Sequence, residues 1–518
     1  MAVRCWRRVR NCAAVALPEE GMRVLLADWG PGAVLRRLVW LAAAVLFVAM
    51  LPKFYGWPKA ASPLSGLAWD SHHFRAVPGI DFFAIYEAGV QWCHGRDPYM
   101  VDGTRIHEVG GPMHAPYVAT YRYLPITTWW LAWPLGLLPP WRAWNLWTLA
   151  LAGGVLWGAL TTVGLASRHG HKPWSTTVLG AMWLAWFPTM VEWHMGQFSL
   201  FMALLMMLCV LPVVGKPWVA DDGDAHRGLL LMPWALSVWL KQFSVVWWPW
   251  WLGAAWSRWR RSAGGGKPGS AMRCLALATC IPLAAAGSYV WWQVSEPESA
   301  ARFRSMATDE RMGSTVPYHL YWGRQGVGLA VAVTEALPSL VALPAGPQAP
   351  ALVEYLHERH PAPWSRWITL GLSGLWGLVA VLAAFEAGRR GGPGTLEALA
   401  LGWLWWFVVY VDCWEHHYTM LLPLLALLGA TRSVPLWAVV VGWAAWGAPS
   451  LWLPISANWE ALQGAPEVRA VAMWAYFAQR PVGVVLVGGL VLWRLWRLWW
   501  RDVKWKMARP DAGEGGAS

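Results

Sequence analysis

Residues 143–167 read AWNLWTLALAGGVLWGALTTVGLAS, an uninterrupted stretch without one charged side chain. As a helix rising about 1.5 Å per residue it would reach past the roughly 30 Å of a bilayer's hydrocarbon core. A helix satisfies its own backbone groups in lipid, and this one is apolar all round, so the stretch predicts a transmembrane span. Comparable runs recur on both sides of it: 38–52 upstream, then 173–191, 197–214, a pair within 229–256, 274–294, 367–387, 395–411, 418–430, 435–453 and 481–500. The expected fold is therefore all-α and polytopic, a bundle of about 12 transmembrane helices.

Composition agrees. Of 518 residues, 57% are apolar and 14% charged, against about 25% charged in soluble domains. Many of the 47 tryptophans stand beside a loop or a basic cluster, where an amphipathic ring suits the headgroup zone; the count alone assigns none of them a catalytic role. The formal charge of +12 is spread over many short loops instead of one face, which argues against a nucleic-acid partner. Seven cysteines without a CxxC pair argue against a zinc knuckle or a redox motif, and Cys209, Cys274 and Cys280 read as small core residues. Cys93 and Cys413 would share the outer face, where a bridge and two free thiols are both open. The first 37 residues carry seven arginines and no small-residue cleavage site, so the first span reads as an uncleaved anchor.

Lysine and arginine concentrate in cytoplasmic loops. The basic residues in 4–10, Arg36 and Arg37, Arg168 and Lys172, those in 258–261, Arg389 and Arg390, Arg432 and those in 494–509 fall on one side of this threading. The expectation is a multi-pass cell-membrane protein with a basic cytoplasmic N-terminus (1–37), a transmembrane domain (38–500) and a cytoplasmic tail (501–518). Segments 53–122, 295–365 and 454–480 then lie outside. Segment 123–139 is apolar enough to cross but would invert everything after it, and Pro125, Pro134 and Pro139 fit a broken, re-entrant or interfacial helix. Within 229–256, Lys241 separates two short pieces that read as tilted half-length helices or a re-entrant pair. Segment 81–94 reads as an interfacial helix, and 326–342 as a weaker one.

Asp81, Glu192, His194, Gln197, Lys241, Glu415, His416 and His417 all map to the outer side. Asp81 reads as the N-cap of its helix, as a general base with a desolvated carboxylate, or as both. DCWEHHY at 412–418 packs four ionisable residues between two spans; it is either a solvated hairpin turn or a phosphate- or sugar-binding cluster. No third ligand spaced for a metal accompanies its histidines. Lys241 either snorkels or stabilises a phosphate leaving group. Gln197 either caps a span or holds a sugar hydroxyl, with Gly196 permitting close approach. No P-loop, Rossmann fingerprint, GxSxG or HExxH motif is present.

Five pieces in order resemble glycosyltransferase family 87, membrane enzymes of the GT-C type: DFFAIYEAGVQWCHGRDPY (81–99), YRYLPITTWWLAWPLGLLP (121–139), GQFSLFMALLMML (196–208), LKQFSVVWWPWWL (240–252) and WEHHYTMLLPLLALL (414–428). Two departures are Gln242 where the family usually has proline after the lysine, and Leu124 before a single proline where two are common. The resemblance implies transfer of mannose, arabinofuranose or a related sugar from a polyprenyl phosphate to a glycan or glycolipid acceptor at the outer face, with no metal or other cofactor. Asp81 would be the base. Lys241, Glu415, His416 and His417 would steady phosphate or sugar, with Gln197 and Tyr123 as wall residues. Two rival readings stand beside it. A transporter or lipid-linked-sugar flippase would show polar groups at mid-depth instead of one face, and a non-catalytic assembly subunit would keep the spans without the chemistry.

Overall fold

The long run at 143–167 folds as part of one 29-residue helix in the computed structural model. The structure describes residues 13–27, 32–49, 79–99, 121, 123–214, 225–241, 243–263, 268–307, 329, 363–392, 394–409, 415–449, 451 and 465–508. These hold helices and no strand. In chain order they are α1 (Ala13–Leu26), α2 (Ala33–Ala49) and α3 (Ile80–Cys93), then a broken helix of Pro125–Thr127, a π turn at Thr128–Ala132 and Trp133–Gly136. Next come α4 (Pro140–Arg168), α5 (Pro173–Leu184), α6 (Phe187–Met195), α7 (Ser199–Val214), α8 (Ala225–Lys241), a 3-10 turn at Phe243–Trp247, α9 (Trp248–Ala263), α10 (Pro268–Ser295) and α11 (Pro297–Ala307). The C-terminal part has α12 (Pro363–Arg390), α13 (Thr395–Val409), a 3-10 turn at Glu415–Met420, α14 (Leu421–Ala430), α15 (Leu436–Trp446) and α16 (Pro466–Ala508).

Among the described residues three stretches are long and apolar enough to cross a membrane: Arg142–Arg168, Leu370–Arg390 and Ala478–Arg501. Each keeps large apolar side chains exposed, such as Leu146 and Leu149, Leu375 and Leu378, and Val482 and Val485, the kind of surface that lipid covers. The helices α7, α13, α14 and α15 are shorter and apolar. The described residues are thus all-helical with membrane character, as expected.

Several boundaries differ from the hydropathy reading. The run 173–191 is two helices, because Pro188 enters the first turn of α6, where a missing N–H is harmless, and Trp186 before it is extended. The N-terminal basic segment contains a helix, α1, that lies on the second half of α4. A Cβ at Gly21 would meet the Leu160 carbonyl at 2.1 Å, one at Gly164 the Leu17 carbonyl at 2.2 Å, and Arg168 pairs with Glu20 at 2.5 Å. Helix α16 continues through Pro481, so 466–480 and 501–508 are extensions of the expected 481–500 span. Cys280 is exposed on its helix instead of buried, and Cys209 is buried. Of segment 326–342 only Leu329 is described, in helical conformation, and Cys413 and Cys274's side chain lie outside the described residues.

Tryptophan also has a second use. Among the described residues eight are fully buried, and several tie one element to another: Trp186 Nε1 donates to the Tyr418 carbonyl, Trp247 to Leu399 and Trp446 to Arg480. A large apolar ring with one donor suits this role, filling space while satisfying a carbonyl.

Candidate functional site

The site is built on the start of α3. Its N-cap is Gly79, in the left-handed region at φ 96°, with no side-chain cap bond. That corrects the N-cap reading of Asp81, which lies inside the first turn, where the helix's positive end favours a carboxylate. Gly79 is required twice, by its φ and because a Cβ there would press on Trp144 at 2.9 Å.

The α6–α7 turn sits directly on this first turn. Gly196 closes α6 at φ 75°, and a Cβ on it would lie 2.3 Å from Phe82 Cβ. The next residue, Gln197, is buried, and its Oε1 accepts a hydrogen bond from the Tyr123 hydroxyl at 2.8 Å. The Tyr123 ring packs on Phe198 with centroids 5.0 Å apart. Glu192 is fully buried and its Oε1 accepts the Leu200 N–H at 2.6 Å, capping α7. Burial first, then the Asp81 charge, holds the Tyr123 phenol well above its ordinary value, and Glu192 adds to the rise. A phenol, an amide and two carboxylates thus share one partly dry environment.

The backbone at Tyr123 is tied to the end of the 81–99 motif. The Tyr99 hydroxyl donates to the Tyr123 carbonyl at 2.7 Å, and Asp97 accepts from the Tyr99 N–H at 2.9 Å, from Ser299 at 2.9 Å and from Arg302 at 2.6 Å. The end of the 81–99 motif is therefore a clamp joining α3 to α11. The broken helix crosses α3 at Gly89, and the Tyr86 hydroxyl donates to the Leu138 carbonyl at 2.8 Å. Thr127 Oγ1 donates to the Leu240 carbonyl at 3.3 Å, which fixes the C-terminal end of α8 beside the start of the broken helix.

From that junction a cavity of about 330 Å³ runs between the broken helix, α8 and α10. Leu124, Trp129, Trp239, Pro282 and Tyr289 are among its walls, which are almost wholly apolar. It begins one residue from Tyr123 and two from Lys241.

The 3-10 turn at Glu415–Met420 packs on α6 and α7. His417 in it is buried, and the Arg480 guanidinium lies 4.7 Å from the centre of the Tyr418 ring. Arg480, itself buried, donates to the Ala445 carbonyl at 2.7 Å and the Ala448 carbonyl at 3.1 Å, at the negative end of α15.

Asp81, Tyr123 and Gln197 therefore come together, and the turn bearing His417 rests on the helix bearing Glu192. The backbone places Lys241 at the end of α8 and Glu415 and His416 in the 3-10 turn; these three side chains, and that of His194, lie outside the described residues. The sequence places Glu192 on this face without a role and does not single out Arg480. The only signal for Arg480 is a lone arginine abutting an apolar run. Among the described residues no three His, Cys, Asp or Glu side chains converge as metal ligands. No protein-family model, curated protein or solved structure matches the chain.

Proposed function

We propose that this chain is a membrane glycosyltransferase of the GT-C, family 87 kind, moving a hexose or pentose, mannose foremost, from a polyprenyl phosphate to a glycan or glycolipid acceptor. The observation that carries the reading is the junction of the Asp81–Tyr123–Gln197–Glu192 group with an apolar cavity beside it. A lipid-phosphate sugar needs both halves, a polar pocket for sugar and phosphate and a dry groove for the prenyl chain. The five motifs supply the family resemblance through their order and spacing.

In this reading Asp81 accepts the proton of the acceptor hydroxyl as the hydroxyl oxygen attacks the anomeric carbon. The bond from that carbon to the phosphate oxygen breaks, and the departing phosphate keeps the electron pair. Tyr123 and Gln197 hold sugar hydroxyls, and Lys241, His416 and His417 with Glu415 form the phosphate and sugar wall. The chain threads the membrane about 12 times, with both termini cytoplasmic and the Asp81 end extracytoplasmic.

The test offers purified full-length protein a panel of polyprenyl-phosphate sugars with an acceptor extract, and compares wild type with Asp81→Asn. Transfer by wild type and a fall of about 100- to 10,000-fold in the variant is the expected outcome. Equal transfer by both removes Asp81 as base. Exchange of lipid-linked sugar across a vesicle wall without any transfer replaces the enzyme with a transporter.

A further inference from the structure

The opposite end of the molecule holds a second cavity. Helix α4 begins beside α3, where Trp144 packs on Phe82 with centroids 5.2 Å apart, and ends at Arg168, roughly 40 Å further on at the α-helical rise. Past that end, a cavity of about 710 Å³ opens between the α4–α5 turn, the α14–α15 turn and α16. Lys172, Arg432, Arg494, Arg497 and Arg501 line it.

Charge there is far from balanced. Arg494 is neutralised by the buried Glu397, 2.7 Å from its Nε, and Ser433 donates to the same carboxylate oxygen at 2.8 Å. Among the described residues no carboxylate pairs with Lys172, Arg497 or Arg501. The scaffold is also built to hold cations in place. Arg432, at φ 58°, donates to the Gly170 carbonyl and accepts at its own carbonyl from Arg494. His171 lines the same space, with Nε2 buried and without a hydrogen-bond partner among the described residues. Helices α5 and α15 both begin at its wall without a side-chain cap, at Lys172 and Pro435, so their positive ends add to the field.

The remaining wall is apolar: Leu436, Leu490, Trp493 and Leu498. The Arg497 guanidinium lies 4.6 Å from the centre of the Trp493 ring, and Trp493, Trp496 and Trp500 are exposed beside it. Cations on one side and lipid-facing rings on the other match a phosphate joined to acyl chains better than a small soluble ion. We propose that this cavity binds the phosphate headgroup of an anionic phospholipid in the leaflet opposite the Asp81 site.

The experiment titrates purified full-length protein in neutral detergent with phosphatidylglycerol, phosphatidylcholine or inorganic phosphate, counting bound lipid by native mass spectrometry and following the unfolding midpoint by tryptophan fluorescence. Wild type is expected to retain and be stabilised by phosphatidylglycerol in preference to phosphatidylcholine, less so at high salt. K172Q/R497Q/R501Q is expected to weaken that binding at least about tenfold, and K172R/R497K/R501K to keep it. Equal phosphatidylglycerol binding by wild type and the glutamine variant overturns the proposal, as does a wild type indifferent to headgroup charge. Displacement of the lipid by an equal concentration of inorganic phosphate overturns the lipid assignment. Should the glutamine variant fold poorly, the headgroup and salt dependence of wild type still decide the matter.

Discussion

Carboxylates near the candidate site differ by what surrounds them. Glu192 is spent on the α7 N–H at Leu200, while Asp81 shares its surroundings with Tyr123. Glu87, two turns along α3 from Asp81, is the most informative for pH. Burial raises its carboxyl above the ordinary 4.5, outweighing the Gln91 amide hydrogen bond at 2.5 Å and the charges of Arg96 and His94, which lower it. A carboxyl whose folded pKa is raised holds its proton more tightly in the native state than in the unfolded chain. Its favourable contribution is present below the unfolded pKa and is lost as pH rises through the folded value. Glu87→Gln, whose amide oxygen can still accept from Gln91, should therefore stabilise the protein at neutral pH by no more than about 1 kcal/mol, since water still screens the group. Unfolding midpoints across pH check this: the gain should vanish below pH about 4, and a gain independent of pH would assign the effect to packing.

At the scale of elements, the crossing of α3 with the broken helix decides whether the site forms. A Cβ at Gly89 would lie 2.0 Å from the Ala132 carbonyl oxygen, and one at Gly136 would lie 2.5 Å from the Gly89 carbonyl carbon. Backbone cannot yield as a side-chain tip does, so Gly89→Ala should push the two elements apart, with a loss of about 1–3 kcal/mol and of whatever activity depends on Tyr123 meeting Gln197. Gly153→Ala is the control: nothing lies within 4 Å of its Cβ position, and alanine favours a helix. A lower midpoint for the first and not the second is the expected pair. These two elements were legible in the sequence, since the apolar face of 81–94 has helical spacing and Pro125 and Pro139 bound a separate short helix within 123–139, although the π turn at Thr128–Ala132 inside it has no such mark. So were Asp81 and Gln197, polar groups standing at the edge of apolar runs, whereas Tyr123 entered only through the family resemblance. Other features depend on neighbouring elements that hydropathy does not report. Hydropathy passes over the α5–α6 break because Pro188 lies inside a continuous apolar run. It rejects α1 because Glu19, Glu20 and Arg23 interrupt it, although Gly21 and Gly164 give it a close seat on α4. Neither the capping role of Glu192 nor the helix-end seat of Arg480 has any local pattern; each exists only once another helix supplies the N–H or the carbonyl.

For the whole molecule, the two cavities define a polarity along α4, one end with carboxylates beside an apolar groove and the other with cations beside exposed tryptophans. Basic clusters belong at the cytoplasmic side of a membrane protein, so the proposed orientation can be tested without reference to enzyme activity. Gly95, at the end of α3, and Gly391, between α12 and α13, have φ of 66° and 67° and nothing within 4 Å of a Cβ position, so each can carry a short inserted epitope with little strain. Gly391 belongs to the basic end, since a Cβ on Gly394, three residues on, would meet Leu495 at 3.0 Å and the Arg390 guanidinium lies 5.2 Å from the Trp499 ring centre. An epitope at Gly95 should bind antibody on intact spheroplasts, and one at Gly391 only after the membrane is permeabilised. Labelling of both from the same side would break the opposition of the two ends and, with it, the assignment of the Asp81 group to one face of the bilayer and the phospholipid site to the other.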